Sequence, residues 1–112
     1  MPIEGKFGAW LTDALSNASE TGEIDLGYNY EKVLVMVPAI SSGTITVHIS
    51  NTSVGTFYPM YILNGDATGD FAHATTAQTN TKAVVFNIGG ARYIKVVFGA
   101  SQTLTVTVRG IK

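Results

Sequence analysis

Two alternating runs near the C-terminus, residues 92–98 and 104–110, constrain this fold more than any other feature of the sequence. Each run places every second side chain on one face of an extended strand. The apolar members are Ile94, Val96 and Phe98 in the first run and Leu104, Val106 and Val108 in the second. A short polar stretch separates the runs, which is typical of a β-hairpin. We therefore predict a hairpin with Phe98 opposite Leu104, whose single apolar face needs a second layer to cover it.

The rest of the chain carries shorter signals of the same kind. Residues 44–50 alternate, and the apolar run 32–38 predicts a central strand covered on both faces and ended by Pro38. Pro59 places the run 56–63 at a sheet edge or a bulge. With turn residues between the runs, the sequence predicts about seven or eight short strands. The expected fold is all-β, an antiparallel β-sandwich of the jelly-roll or immunoglobulin-like kind.

The domain organisation is simple, because 112 residues suit one domain. We assign residues 1–22 to an N-terminal arm or first strand and residues 23–112 to the β-sandwich. The apolar residues near the N-terminus have roughly helical spacing, but an extended conformation fits a chain that is β throughout its later part. The long polar stretch 64–82 is of a kind that is usually functional or mobile.

Composition points to association with other protein. Only 13% of the residues are charged, against about 25% in a typical soluble domain. A surface built from Thr, Ser, Asn and Gly is poorly protected against association, so we expect its outward faces to meet neighbouring subunits. The interface candidates are Phe7, Trp10, Leu11, Thr44, Thr46, His48, Thr103, Thr105 and Thr107.

Several function classes lack support in the sequence. The net charge of −1 argues against a nucleic-acid partner, and no apolar run approaches the length of a membrane span. There is no cysteine, and the two histidines, His48 and His73, have no spacing typical of a metal site. Asp66 and Asp70 share one loop, which does not hold two carboxylates across a cleft. We predict a protein that is not an enzyme and has no metal or cofactor.

A second binding hypothesis comes from the aromatic residues. Tyr58, Tyr61 and Trp10 are candidates for a platform that stacks on sugar rings, although aromatic residues of a small sandwich also fill cores and interfaces. In the predicted hairpin Tyr93 lies opposite Arg109, either as a cross-strand packing pair or as part of a ligand platform. The glycan-binding candidates are Tyr58, Tyr61, Tyr93 and Arg109.

Taken together, these stretches resemble small β-sandwich proteins of tailed bacteriophage particles. The resembling stretches are 24–27, 33–40, 46–50, 57–59, 89–95 and 108–110. The resemblance implies a virion component made in the host cytoplasm, with capsid decoration as the best single role. It also implies that the protein is a symmetric oligomer, with a trimer favoured, that bridges the major capsid protein or other virion proteins.

Residues 92–94 and the arrangement of Ser50 with Phe57 are also similar to discoidin-type carbohydrate-binding jelly rolls. That family usually has an Asp-Gly pair after the strand serine, where this chain has residues 51–55, Asn-Thr-Ser-Val-Gly. This second resemblance implies the alternative role, a carbohydrate-binding module or a tail or head-fibre accessory domain that attaches a particle to glycans.

Overall fold

The computed structural model describes residues 7–62, 71–72, 74–75 and 78–112, and within these ranges the protein is all-β. In chain order the strands are β1 (Leu11–Glu20), β2 (Ile24–Gly43), β3 (Ile45–Ser50), β4 (Tyr58–Pro59), β5 (Tyr61–Ile62), β6 (Phe71–Ala72) and β7 (Gln78–Ile111). Every strand pair is antiparallel, and β5 with β6 forms a separate two-stranded ribbon. The described ranges contain no helix that could span a bilayer.

The sandwich has two layers, and the longer strands contribute segments to both of them. In β7 the segment 104–111 pairs with β1 along one edge and with β2 along the other. The segment 93–98 pairs with β3 on one edge and with residues 20–25 on the other. The first layer is ordered 11–15, 104–111, 32–37, 82–87, and the second layer is ordered 20–25, 93–98, 45–50, 58–59. Two four-stranded sheets connected in this way form a jelly roll, so the predicted fold class is confirmed.

The predicted C-terminal hairpin is wrong. Val96 pairs with Val47, and its carbonyl accepts a hydrogen bond from Thr21 N at 3.0 Å, so the strand around Val96 has no free edge. Val108 likewise has partners on both sides, Leu11 and Val35. The two runs therefore belong to different layers, and their apolar faces meet across the core instead of side by side in one sheet. Alternation determines which side chains point inward but not which strand occupies each edge.

The apolar run 32–38 occupies an interior position in the first layer, but only one of its faces is covered. Val33, Val35 and Val37 are buried, whereas Met36 on the opposite face is 37% exposed. The prediction of a strand covered on both faces is therefore wrong for the single chain. Pro38 does not end the strand either, since β2 continues to Gly43. Proline has no N–H for the ladder, and the pairing shifts register just beyond Val37.

The predicted position of Pro59 at a sheet edge is confirmed, because β4 stands last in the strand order of its layer. At the other end of the chain, residues 11–15 pair with residues 108–104 as part of the first layer. Leu15 is 5% exposed and belongs to the hydrophobic core. Of the segment predicted as an arm or first strand, Leu11–Glu20 thus contributes a strand of the sandwich.

Candidate docking surface

The outer surface of the first layer carries a contiguous set of apolar and neutral side chains. Cross-strand pairing places Leu34 beside Val85, and it places Met36 between Ala83 and Thr107. We call this surface the apolar face and define it by Leu34, Met36, Ala83, Val85, Thr105 and Thr107. None of the six is charged, although Arg109 pairs with Leu34 and Lys82 lines a groove at the Pro38 end, so removing the six from water costs less than removing charged groups.

The apolar face is open to solvent. Val85 is 49% exposed and Met36 is 37% exposed, although both side chains are large and hydrophobic. A groove of about 470 Å³ opens at the Pro38 end of the face, between Met36 and Ala83 on one side and the two threonines on the other. A groove beside exposed apolar side chains is a shape that a partner side chain can fill.

A cluster of aromatic side chains around Arg109 borders the apolar face. The Arg109 Cζ lies 4.2 Å from the ring centroid of Trp10 and 5.2 Å from that of Phe7. Its Nε donates a hydrogen bond to the Gly8 carbonyl at 3.0 Å. The strand carrying Arg109 pairs with Leu34, which connects this cluster to the apolar face. Phe7 and Trp10 remain about half exposed, so the Trp10–Arg109 cluster extends the surface that a partner can contact.

The predicted pairing of Arg109 with Tyr93 is wrong. Tyr93 pairs with Asp25 and Ser50 in the second layer, and the cation beside its ring is Arg92, at 5.2 Å from the ring centroid. The error follows from the hairpin prediction, because the two runs lie in different sheets.

The remaining interface candidates fall on both sides of the molecule. Thr105 and Thr107 belong to the apolar face, whereas Thr46 and His48 lie in the second layer, opposite Val97 and Lys95. Thr44, next to them in sequence, accepts a hydrogen bond at its backbone oxygen from Gly99 N at 3.0 Å.

The other two interface candidates are already engaged within the chain. The Thr103 hydroxyl accepts a hydrogen bond from Asn17 N at 2.9 Å. Leu11 packs against the core instead of standing free with Phe7 and Trp10. The predicted set therefore does not form one surface; two of its members belong to the apolar face and two more to the bordering cluster.

The glycan candidates do not form one platform among the described residues. Tyr58 is 58% exposed on the edge strand β4 of the second layer, while Arg109 belongs to the first layer. The Tyr61 side chain lies outside the described residues, as do Asp66, Asp70 and His73.

The outward-facing apolar residues, half-buried Leu34 and exposed Met36, Ala83 and Val85, were missed by the sequence reasoning. A usable signal was present, because the run 32–38 is apolar at successive positions and not only at alternate ones. Such a run requires cover on both faces, and the second cover can come from another molecule as well as from this chain.

Two ion pairs in the described part of the chain lie at the second layer, away from the apolar face. Arg92 Nε donates to Asp25 Oδ1 at 2.7 Å, and Lys95 lies 3.4 Å from Glu20. The hydrogen bond from Arg92, together with one from Gly27 N, lowers the pKa of Asp25 below its usual value, and the same contact raises the pKa of Arg92. No group of three or more His, Cys, Asp or Glu side chains converges on a metal-sized site in these ranges.

Comparisons with known proteins bear on the fold. No protein-family model matches the sequence, and no curated protein matches it. The chain is similar to the crystal structure of the SPBc2 prophage-derived protein YomS, with a TM-score of 0.57 and 15% identity over 93% of this chain and 94% of that one. At this identity the likeness concerns the fold alone.

Two more distant structures are also similar. The Tobacco streak virus coat protein matches with a TM-score of 0.36 and 14% identity, over 97% of this chain and 88% of that one. CsCBM6-3 from Clostridium stercorarium, solved in complex with cellobiose, has a TM-score of 0.36 and 18% identity over 90% of this chain and 72% of that one. Their topological likeness is too low to bear on function.

Proposed function

We propose that this protein is a structural component of a tailed-phage virion that binds neighbouring virion protein through its apolar face. The observation that carries the proposal is a contiguous apolar surface, on an interior strand of the sheet, that the described part of the chain leaves uncovered. The resemblance of the sequence to phage β-sandwich proteins supports it, and the fold is shared with a prophage-derived protein. The best single role is capsid decoration, with no catalytic activity.

The energetics favour covering this surface. Burying a whole Met or Val side chain contributes about 1.5–3 kcal/mol. With Met36 37% and Val85 49% exposed, covering what remains contributes about 1 kcal/mol for each residue. The neutral threonines beside them lose little on leaving water compared with charged groups.

The size of the face favours several contacts acting together. The face occupies three strands, which span roughly 14 Å, and about three residues along each, which span roughly 10 Å, so it covers about 140 Å² in projection. A stable interface buries about 800 Å² on each partner. The apolar face therefore needs either the neighbouring Trp10–Arg109 cluster or a second subunit, which agrees with a symmetric oligomer, favoured as a trimer, that bridges subunits of the major capsid protein.

The test is binding to purified particles that lack the protein. Met36→Lys combined with Val85→Lys places two charges in the contact and removes about 2 kcal/mol of apolar burial, so we expect the affinity to fall at least tenfold. Occupancy measured by cosedimentation and cryo-electron microscopy checks this. Val54→Lys is the matched control, because Val54 is 91% exposed away from the apolar face. Full occupancy by the double variant, folded as judged by circular dichroism, would refute the proposal.

A further inference from the structure

A cleft with both polar and apolar lining lies at one end of the sandwich and shares no residue with the apolar face. It has a volume of about 230 Å³ and is enclosed by residue 29 of β2, residues 49–51 at the end of β3, and residues 88–92 of β7. This volume is below the roughly 300–1,000 Å³ of pockets for drug-sized ligands. The volume of the cleft therefore matches a small ligand with a single ring.

The bend of β7 keeps the cleft open. Gly89 and Gly90 have φ angles of 62° and 87°, which side chains rarely adopt. A Cβ atom added at either position would have no other atom within 4 Å, so open space lies beside this backbone. Gly89 N donates to Asn87 Oδ1 at 3.1 Å, which holds the turn. The wall of the cleft is thus exposed backbone in a defined conformation.

The charge of the cleft is balanced. The guanidinium of Arg92 donates to both carboxylate oxygens of Asp25, at 2.7 and 3.0 Å. Asp25 also accepts a hydrogen bond from Gly27 N at 2.8 Å, so the pair is held in place. Two of the five N–H donors of the guanidinium are used, and the other three have no acceptor among the described residues. Because Asp25 neutralises the cation, the cleft offers donors without net attraction for an anion.

The remaining lining has both polar and apolar parts. Asn29 and Asn51 carry amide groups that donate and accept hydrogen bonds, while the partly exposed Ile49 and Ala91 present hydrocarbon. A sugar ring has the matching character, with hydroxyl groups around its edge and C–H bonds on its faces. We propose that this cleft binds one unit of a neutral sugar. The site is additional to the proposed structural function, and both surfaces can be occupied at once.

The experiment is a titration of the isolated ¹⁵N-labelled protein followed by NMR. The probes are glucose, galactose, mannose and N-acetylglucosamine, with glycerol and inorganic phosphate as comparison ligands. We expect at least one sugar to produce saturable shifts confined to residues 29, 49–51 and 88–92, with a dissociation constant on the order of 1–10 mM.

Substitutions separate a specific site from general surface contact. Arg92→Ala and Asn51→Ala should each weaken binding about tenfold, the usual effect of losing one hydrogen bond to a charged or fixed polar group. Lys95→Ala is the matched control, since Lys95 lies on the same strand and is ion-paired with Glu20 outside the cleft. If Arg92→Ala does not fold, Arg92→Lys keeps the charge and loses the two-pronged donor geometry, and it should also weaken binding.

The proposal is overturned if none of the four sugars gives saturable shifts, if glycerol or phosphate gives the same shifts, or if Arg92→Ala and Asn51→Ala bind like the wild type. Met36→Lys should bind sugar as tightly as the wild type. Failure of sugar binding is therefore distinguishable from failure of virion binding.

Discussion

Gly110 lies directly against the ring of Tyr30, and this contact makes a sharp test of the packing. A Cβ atom at position 110 would lie 2.6 Å from Tyr30 Cε2 and closer still to Cγ and Cδ2 of the same ring. Ordinary contacts begin at 3.4 Å, so the ring or the strand would have to move by about 0.8 Å or more.

The ring has little room to move. Tyr30 is 5% exposed, and a Cβ at Gly8, the neighbour of Gly110 on the adjacent segment, would already lie 3.0 Å from the Tyr30 hydroxyl oxygen. Gly8 N donates to the Gly110 carbonyl at 2.9 Å, which fixes the distance between these two backbones. Overpacking at such a site costs about 1–3 kcal/mol, so Gly110→Ala should lower the melting temperature by about 4–12 °C.

Thermal and urea unfolding followed by circular dichroism measure this change. Gly22→Ala is the matched control, because its added Cβ meets only Asp13 Oδ2 at 3.9 Å, and its stability should change by less than about 1 kcal/mol. In a Tyr30→Leu background the cost of Gly110→Ala should largely disappear, since the two effects share one contact. A Gly110→Ala variant as stable as the wild type would refute the reasoning about this contact.

Three further predictions follow from other contacts. Leu15→Ala should lower the free energy of unfolding by about 2–5 kcal/mol, measured in urea, because Leu15 is in the core; a loss below about 1 kcal/mol would contradict its place there. Gln102→Leu should cost about 1–3 kcal/mol in the same assay, because Gln102 Oε1 accepts from Ser41 N at 3.0 Å and this buried link would be lost; unchanged stability would argue against the bond. Asp25 should titrate below 3.8 by ¹³C NMR, with its pKa returning upward in Arg92→Ala. The ion pair therefore stabilises the fold at pH values above 3.8, the ordinary pKa of an Asp, and this stabilisation is lost as the pH falls through the lowered pKa of Asp25. An Asp25 pKa that does not change in Arg92→Ala would contradict the ion pair.

The candidate surfaces could be predicted only in part from the sequence pattern and the composition. The scarcity of charge drew attention to neutral strand faces, and Thr105 and Thr107 lie on one such face, the outer side of the first layer. The pattern could not show that Thr46 and His48 lie in the other layer, because that depends on which strand each one pairs with. The cleft beside Arg92 was invisible for the same reason, since residues 29, 51 and 90 are brought together only by the bends of three strands.

The alternation of apolar residues by itself determined that this chain is a β-sandwich and which side chains form its core. Ile94, Val96, Val106 and Val108 are all fully buried, as their period of two requires. Only the tertiary structure decided that these two strands face each other across the core, because backbone N–H and C=O groups are the same on both edges of any strand. Which strands pair therefore depends on how the whole chain folds, and the observed pairing leaves the outer side of Met36 uncovered.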